Sequence, residues 1–76
     1  MSLAYVLINV ELGAEEEVLG EVRKIPNVKE CYRVYGIYDM IAKVEAESLD
    51  TVKQVVTSKI RRLPSVRSTL TTIVIE

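Results

Sequence analysis

The eight residues Val22-Arg23-Lys24-Ile25-Pro26-Asn27-Val28-Lys29 return, position by position, as Ile60-Arg61-Arg62-Leu63-Pro64-Ser65-Val66-Arg67. Apolar stands for apolar, basic for basic and proline for proline. The two prolines lie 64 − 26 = 38 residues apart, half of the 76-residue chain. Each half reads as strand, helix, strand, so the whole order is βαββαβ. Right-handed crossovers bring both helices to the same side of one sheet. The expected fold is therefore α+β, a ferredoxin-like βαββαβ sandwich. It has a four-stranded antiparallel sheet with two helices on one face, and residues 1–76 form a single domain.

Local signals agree with this frame. Leu3 to Leu12 is a strand apolar on both alternating sets, Leu3, Tyr5 and Leu7 on one and Ala4, Val6, Ile8 and Val10 on the other. Such a strand is covered on both faces. Gly13 ends it. Ala14 to Ile25 is a helix, with Glu15, Glu16 and Glu17 in the first turn and Arg23 and Lys24 in the last, as the helix dipole favours. Val18, Leu19, Val22 and Ile25 give its apolar stripe, and Pro26 stops it. Val28–Tyr35 and Met40–Ala46 read as paired strands around a short centre. Ser48 caps the second helix, whose stripe is Leu49, Val52, Val56, Ile60 and Leu63. Val66 to Ile75 is the last strand, carrying Leu70 and Val74 on one face and Ile73 and Ile75 on the other.

Helices on one face leave the other bare. That face is too large an apolar patch for a monomer of this size. It is expected to stack on the same face of a second copy, forming a symmetric homodimer. Ten basic and eleven acidic side chains leave a net charge of −1, which is no electrostatic footprint for nucleic acid. No apolar run approaches membrane-spanning length and no signal peptide is evident, so a cytoplasmic location is expected. The absence of histidine removes imidazole acid–base chemistry and the commonest metal ligand. The single cysteine, Cys31, reads as a buried structural thiol, because no histidine exists to activate it. Neither catalytic residues, a metal nor a cofactor is expected.

The centre of the second half-strand pair, Gly36-Ile37-Tyr38-Asp39, reads as a hairpin tip. Glycine admits positive φ, and aspartate bonds its own backbone, so a plain turn explains both residue types. The alternative is that the tip, with its one carboxylate, binds something. Tyr38 suits a subunit interface as well as a ligand, while Tyr32 and Tyr35 suit the sheet and its interface. Arg61, Arg62 and Arg67 form a possible anion patch, although the helix C-terminus explains two of them.

The pattern Val28-x-x-Cys31-Tyr32-x-Val34-x-Gly36-x-Tyr38-Asp39, followed by a strand, a helix and Leu63-Pro64-Ser65-Val66-x-x-Thr69-x-Thr71, resembles the regulation-of-amino-acid-metabolism (RAM) domain. That domain is the effector-binding half of Lrp/AsnC transcription regulators. The resemblance covers essentially the whole chain. It implies dimerisation through the sheets, with further assembly commonly to octamers. It also implies a small effector, typically an amino acid, bound at subunit interfaces near the turn between the second and third strands. Gly36, Ile37, Tyr38 and Asp39 match that turn, and Thr69 and Thr71 match the final-strand pattern. Full regulators carry an N-terminal helix-turn-helix domain, whereas this chain begins at the first RAM strand. It therefore reads as a stand-alone RAM protein, with DNA binding not carried over and with full-length Lrp/AsnC regulators as possible partners.

Three competing functions share the architecture. Small dimeric α+β barrel enzymes need convergent polar or histidine side chains, for which the sequence gives no spacing. An RNA-binding domain would need aromatic residues on the open face and a basic surface. An ACT-like amino-acid-binding domain would differ in how its subunits pack.

Overall fold

Alternation along the first strand decides the layering. The computed structural model describes all 76 residues, and in it β1 spans Ser2–Val10. Its Ala4, Val6, Ile8 and Val10 are buried, whereas Leu3, Tyr5 and Leu7 face the other way and stay partly open to solvent. The elements that follow are α1 (Glu15–Arg23), β2 (Val28–Arg33), β3 (Met40–Ala46), α2 (Leu49–Val55) and β4 (Val66–Ile73). The sheet is antiparallel throughout, in the order β2-β3-β1-β4. This is the ferredoxin-like arrangement. β1 sits between β3 and β4, and β2 and β4 form the edges.

The repeat survives in the hydrogen bonds. The Ile25 amide donates to the Val22 carbonyl at 3.1 Å, and the Leu63 amide to the Ile60 carbonyl at 3.1 Å. Val28 N donates to Ile25 O at 3.0 Å, and Val66 N to Leu63 O at 3.1 Å. The carbonyls of Asn27 and Ser65 then each receive a neighbouring strand, from Glu45 N at 2.9 Å and Glu11 N at 2.8 Å. Each half thus uses its proline turn to lead the chain out of a helix and into pairing with a neighbouring strand.

One core lies between helices and sheet. Val18, Val22, Val52, Val55, Val56 and Ile60 from the helical layer meet Ala4, Val6, Ile8, Cys31, Met40, Ala42 and Val44 from the sheet. Ser48 caps α2, its hydroxyl accepting from Thr51 N at 3.2 Å. α2 does not remain α-helical to its end. It runs into a π-helical segment, Val56–Ile60, closed by the Arg61 amide donating to the Val56 carbonyl at 2.9 Å.

Several expected boundaries contract. β1 ends at Val10, not Leu12, which is almost fully exposed. α1 begins at Glu15 and ends at Arg23, β2 stops at Arg33 and β4 stops at Ile73. Leu49 is exposed rather than part of the helical stripe. The face bare of helices is also less uniform than expected. Leu3, Tyr5, Leu7, Ile41 and Leu70 form its apolar middle, while Glu30, Lys43 and Glu45 run beside them. Lys43 Nζ lies 3.7 Å from Glu30 Oε2 and 3.6 Å from Glu45 Oε2. The Glu30 charge above all raises the pKa of Lys43. The hydrogen bond from the Tyr32 hydroxyl to Glu30, at 2.9 Å, raises that of the phenol. No helix is long and apolar enough to cross a membrane.

Candidate functional site

Residues 34–39 join β2 to β3 as an open loop of bends rather than a tight two-residue turn. Asp39 fastens its base. The Asp39 amide donates to the Ile8 carbonyl at 3.0 Å, its carbonyl accepts from Val34 N at 2.9 Å, and Oδ2 accepts from Val10 N at 2.9 Å. The last bond falls where β1 shifts register against β4, between Asn9 and Val10. The Val10 amide points to the β3 side, past Met40 where that strand begins, and the Asp39 carboxylate supplies the partner that β3 does not.

Gly36 does not have the conformation expected of a turn glycine. The only positive-φ residue is Gly13, at 92°, where β1 gives way to α1. At Gly36 a Cβ would meet nothing within 4 Å in its own chain. Tyr35 is fully exposed and Ile37 is 89% exposed, so the tip presents apolar side chains that the chain itself does not cover. Tyr38 is half-buried.

The six residues singled out in the sequence do not converge. Ile37 and Asp39 line a cavity of about 500 Å³ at the end of the sheet, with Asn9, Val10, Leu12, Glu15, Arg67 and Ser68. Its polar groups are largely engaged: Arg67 Nε lies 3.5 Å from Glu11 Oε2, Asn9 Nδ2 donates to Ser68 Oγ at 3.4 Å, and Glu15 Oε1 accepts from Gly13 N at 3.0 Å. Thr69 and Thr71 lie on the helix-facing side of edge strand β4, opposite Ile8 and Val6. They line a separate groove of about 380 Å³ against α2 and the π-helical segment, with Lys53, Val56, Thr57, Arg61 and Ile73. Ile8 pairs with Met40 on one side and Thr69 on the other, so β1 stands between the loop and the threonines. Gly36 and Tyr38 line neither space.

Lys53 and Thr57 are not among the residues the sequence marks, and Arg61 is marked only as part of an anion patch. Their spacing of four, one position along from Val52, Val56 and Ile60, held the signal: a polar stripe beside the buried one, at the edge facing β4. The expected patch of Arg61, Arg62 and Arg67 does not form as one unit, because Arg67 lies at the other end, paired with Glu11.

Cys31 is buried, and its carbonyl accepts from Arg23 Nε at 3.0 Å and Nη2 at 2.7 Å. Burial pushes the thiol pKa up and the Arg23 charge pulls the other way, with burial stronger. The thiol is neutral at physiological pH and packs as a small apolar group. No group of three acidic or thiol side chains stands close enough to hold a metal ion.

Residues 3–76 match the family model described as the Lrp/AsnC ligand binding domain. The chain is 38% identical over 63 residues to the proline dehydrogenase transcriptional activator of Rhizobium radiobacter, covering 83% of this chain and 40% of that protein. It is 31% identical over 74 residues to the HTH-type transcriptional regulator FL11 of Pyrococcus horikoshii, covering 97% and 48%. The chain thus spans about half or less of the length of these curated relatives. Among solved structures, hypothetical protein PHS023 from Pyrococcus horikoshii superposes with a TM-score of 0.93 at 42% identity, over 100% of this chain and 92% of that one.

Proposed function

Since this chain belongs to the Lrp/AsnC ligand-binding domain family, we propose that it is a homo-oligomeric effector-binding module for a small amino-acid-like molecule. The relatives named above are transcription regulators, not enzymes. In this reading the module acts on metabolism or on full-length regulators through shared subunit contacts, without itself touching DNA. The observation that carries it is the position of the two half-sites. The loop holding Gly36, Ile37, Tyr38 and Asp39 is anchored at its base and uncovered at its tip. Thr69 and Thr71 lie beyond β1, in a groove of their own. One ligand touching both sets needs the loop of one subunit and the groove of another, as an assembly built by symmetry supplies.

Each loop residue then has a defined task. Gly36, with open space where a Cβ would be, lets the second subunit or the ligand reach the backbone. Loop amides receive the ligand carboxylate, and the free oxygen of Asp39 receives its ammonium. Ile37 and Tyr38 close the joint between subunits. The test is thermal unfolding of the purified protein with each of the twenty amino acids in turn. Ligand that binds only the folded state raises the midpoint with concentration. A rise for one or a few is expected, and a midpoint unmoved by all of them at millimolar concentration would refute the effector reading.

A further inference from the structure

The groove that holds Thr69 and Thr71 has a definite charge. Lys53 from α2 and Arg61 from the end of the π-helical segment line it, and no carboxylate does. Neither cation is spent within the chain: the ion pairs are Lys24–Glu21, Arg33–Glu16, Lys43 with Glu30 and Glu45, and Arg67–Glu11. Asp50, one turn before Lys53 on α2, is not among its partners. The hydroxyls of Thr57, Thr69 and Thr71 also make no hydrogen bond within the chain, although each is a free donor. Two unpaired cations and three unengaged hydroxyls stand around one concavity, in a protein of net charge −1. Arg61 offers a fork that matches a carboxylate in two-point contact, and Lys53 adds a point charge. Lys53 stands on α2, and Arg61 directly follows the π-helical segment, whose wider turn shifts it relative to an unbroken helix.

We infer that this groove selects the effector by its side chain, and that the effector is an acidic amino acid, its side-chain carboxylate held by Lys53 and Arg61. The inference rests on the reading above, in which Thr69 and Thr71 touch the effector. It adds the ligand's charge class, which the loop residues leave open. A neutral amide of the same shape would leave both cations unpaired in the closed joint between subunits. A cationic side chain would meet like charge.

Calorimetric titration with L-aspartate, L-glutamate, their two amides, L-lysine and L-arginine tests it, with inorganic phosphate as an anion control. One of the acids binds tighter than its amide by about tenfold or more, as expected for a charge-assisted contact. Both side chains are exposed, so Lys53→Glu/Arg61→Glu leaves the fold intact and moves the preference to lysine or arginine. Amides that bind as tightly as the acids, or a preference untouched by the double substitution, overturn the inference while leaving the effector reading standing. Phosphate binding as tightly as the acids, and lost in the same variant, overturns it in favour of a plain anion site. Heat from none of these ligands overturns it too, and if the remaining amino acids are equally silent the effector reading falls with it.

Discussion

Two glycines have different tasks, and substitution separates them. Gly13 holds φ at 92° with open space around its missing side chain, so alanine there is opposed by the backbone alone. Gly13→Ala should cost about 1–2 kcal/mol in urea unfolding, the left-handed penalty for a residue with a Cβ. Gly36→Ala should leave stability within about 0.5 kcal/mol, because Gly36 has neither positive φ nor a neighbour to clash with. Its effect should appear in effector affinity instead. A loss of stability at Gly36 equal to that at Gly13 would mean that the loop glycine is a folding residue only. Cys31 gives a second residue-scale prediction. Its folded pKa lies above the ordinary 9.0, so the unfolded thiol ionises first as pH rises. That contribution is fully present below pH 9 and is lost as pH climbs through the folded value. Tyr32 and Lys43, both raised, act in the same direction from 10.0 and 10.5. The urea midpoint should therefore fall as pH rises above 9, and less steeply in Cys31→Val. An equal slope in the variant would show that the thiol is not sealed in the core.

At the scale of elements, Ile60 is the most informative core residue. It is fully buried at the end of the π-helical segment and repeats Val22 at the end of α1. Ile60→Ala should destabilise the protein by about 2–5 kcal/mol. A loss under about 1 kcal/mol would mean that the segment does not hold the core. The two-half architecture was legible because the repeat, the proline turns and the alternation in β1 all point to one topology. The π turn was not. Val52, Val56 and Ile60 are spaced by four, which overshoots a 3.6-residue turn by about 40° at each step. Over one step, as from Val18 to Val22, an α-helix absorbs the drift. Over two steps the wider turn brings Ile60 back to the sheet. The site was legible in part for a similar reason. Sequence marked Asp39 and the two threonines, but strand register alone decides which side of β1 each one serves. The Val10 amide that engages the Asp39 carboxylate, left over where β3 begins only at Met40, has no signature in residue type.

At the scale of the molecule, the open sheet face carries the expectation of a dimer. Leu7 pairs across the sheet with Ile41 and Leu70 at the middle of that face, away from the core beneath. Leu7→Lys should leave the circular dichroism spectrum unchanged and reduce the sedimenting species to a monomer. Unaltered sedimentation would remove the face as the interface. A ligand site divided between subunits is tested most directly by subunit mixing. Asp39→Asn keeps an oxygen for the Val10 amide but removes the loop charge, and Thr69→Val/Thr71→Val strips the groove of its hydroxyls. Each variant alone should bind effector weakly. Co-refolded together, they should regain a fraction of sites with wild-type affinity, because some joints pair an intact loop with an intact groove. A mixture that binds no better than its two components would contradict the account, as would wild-type affinity in either variant alone.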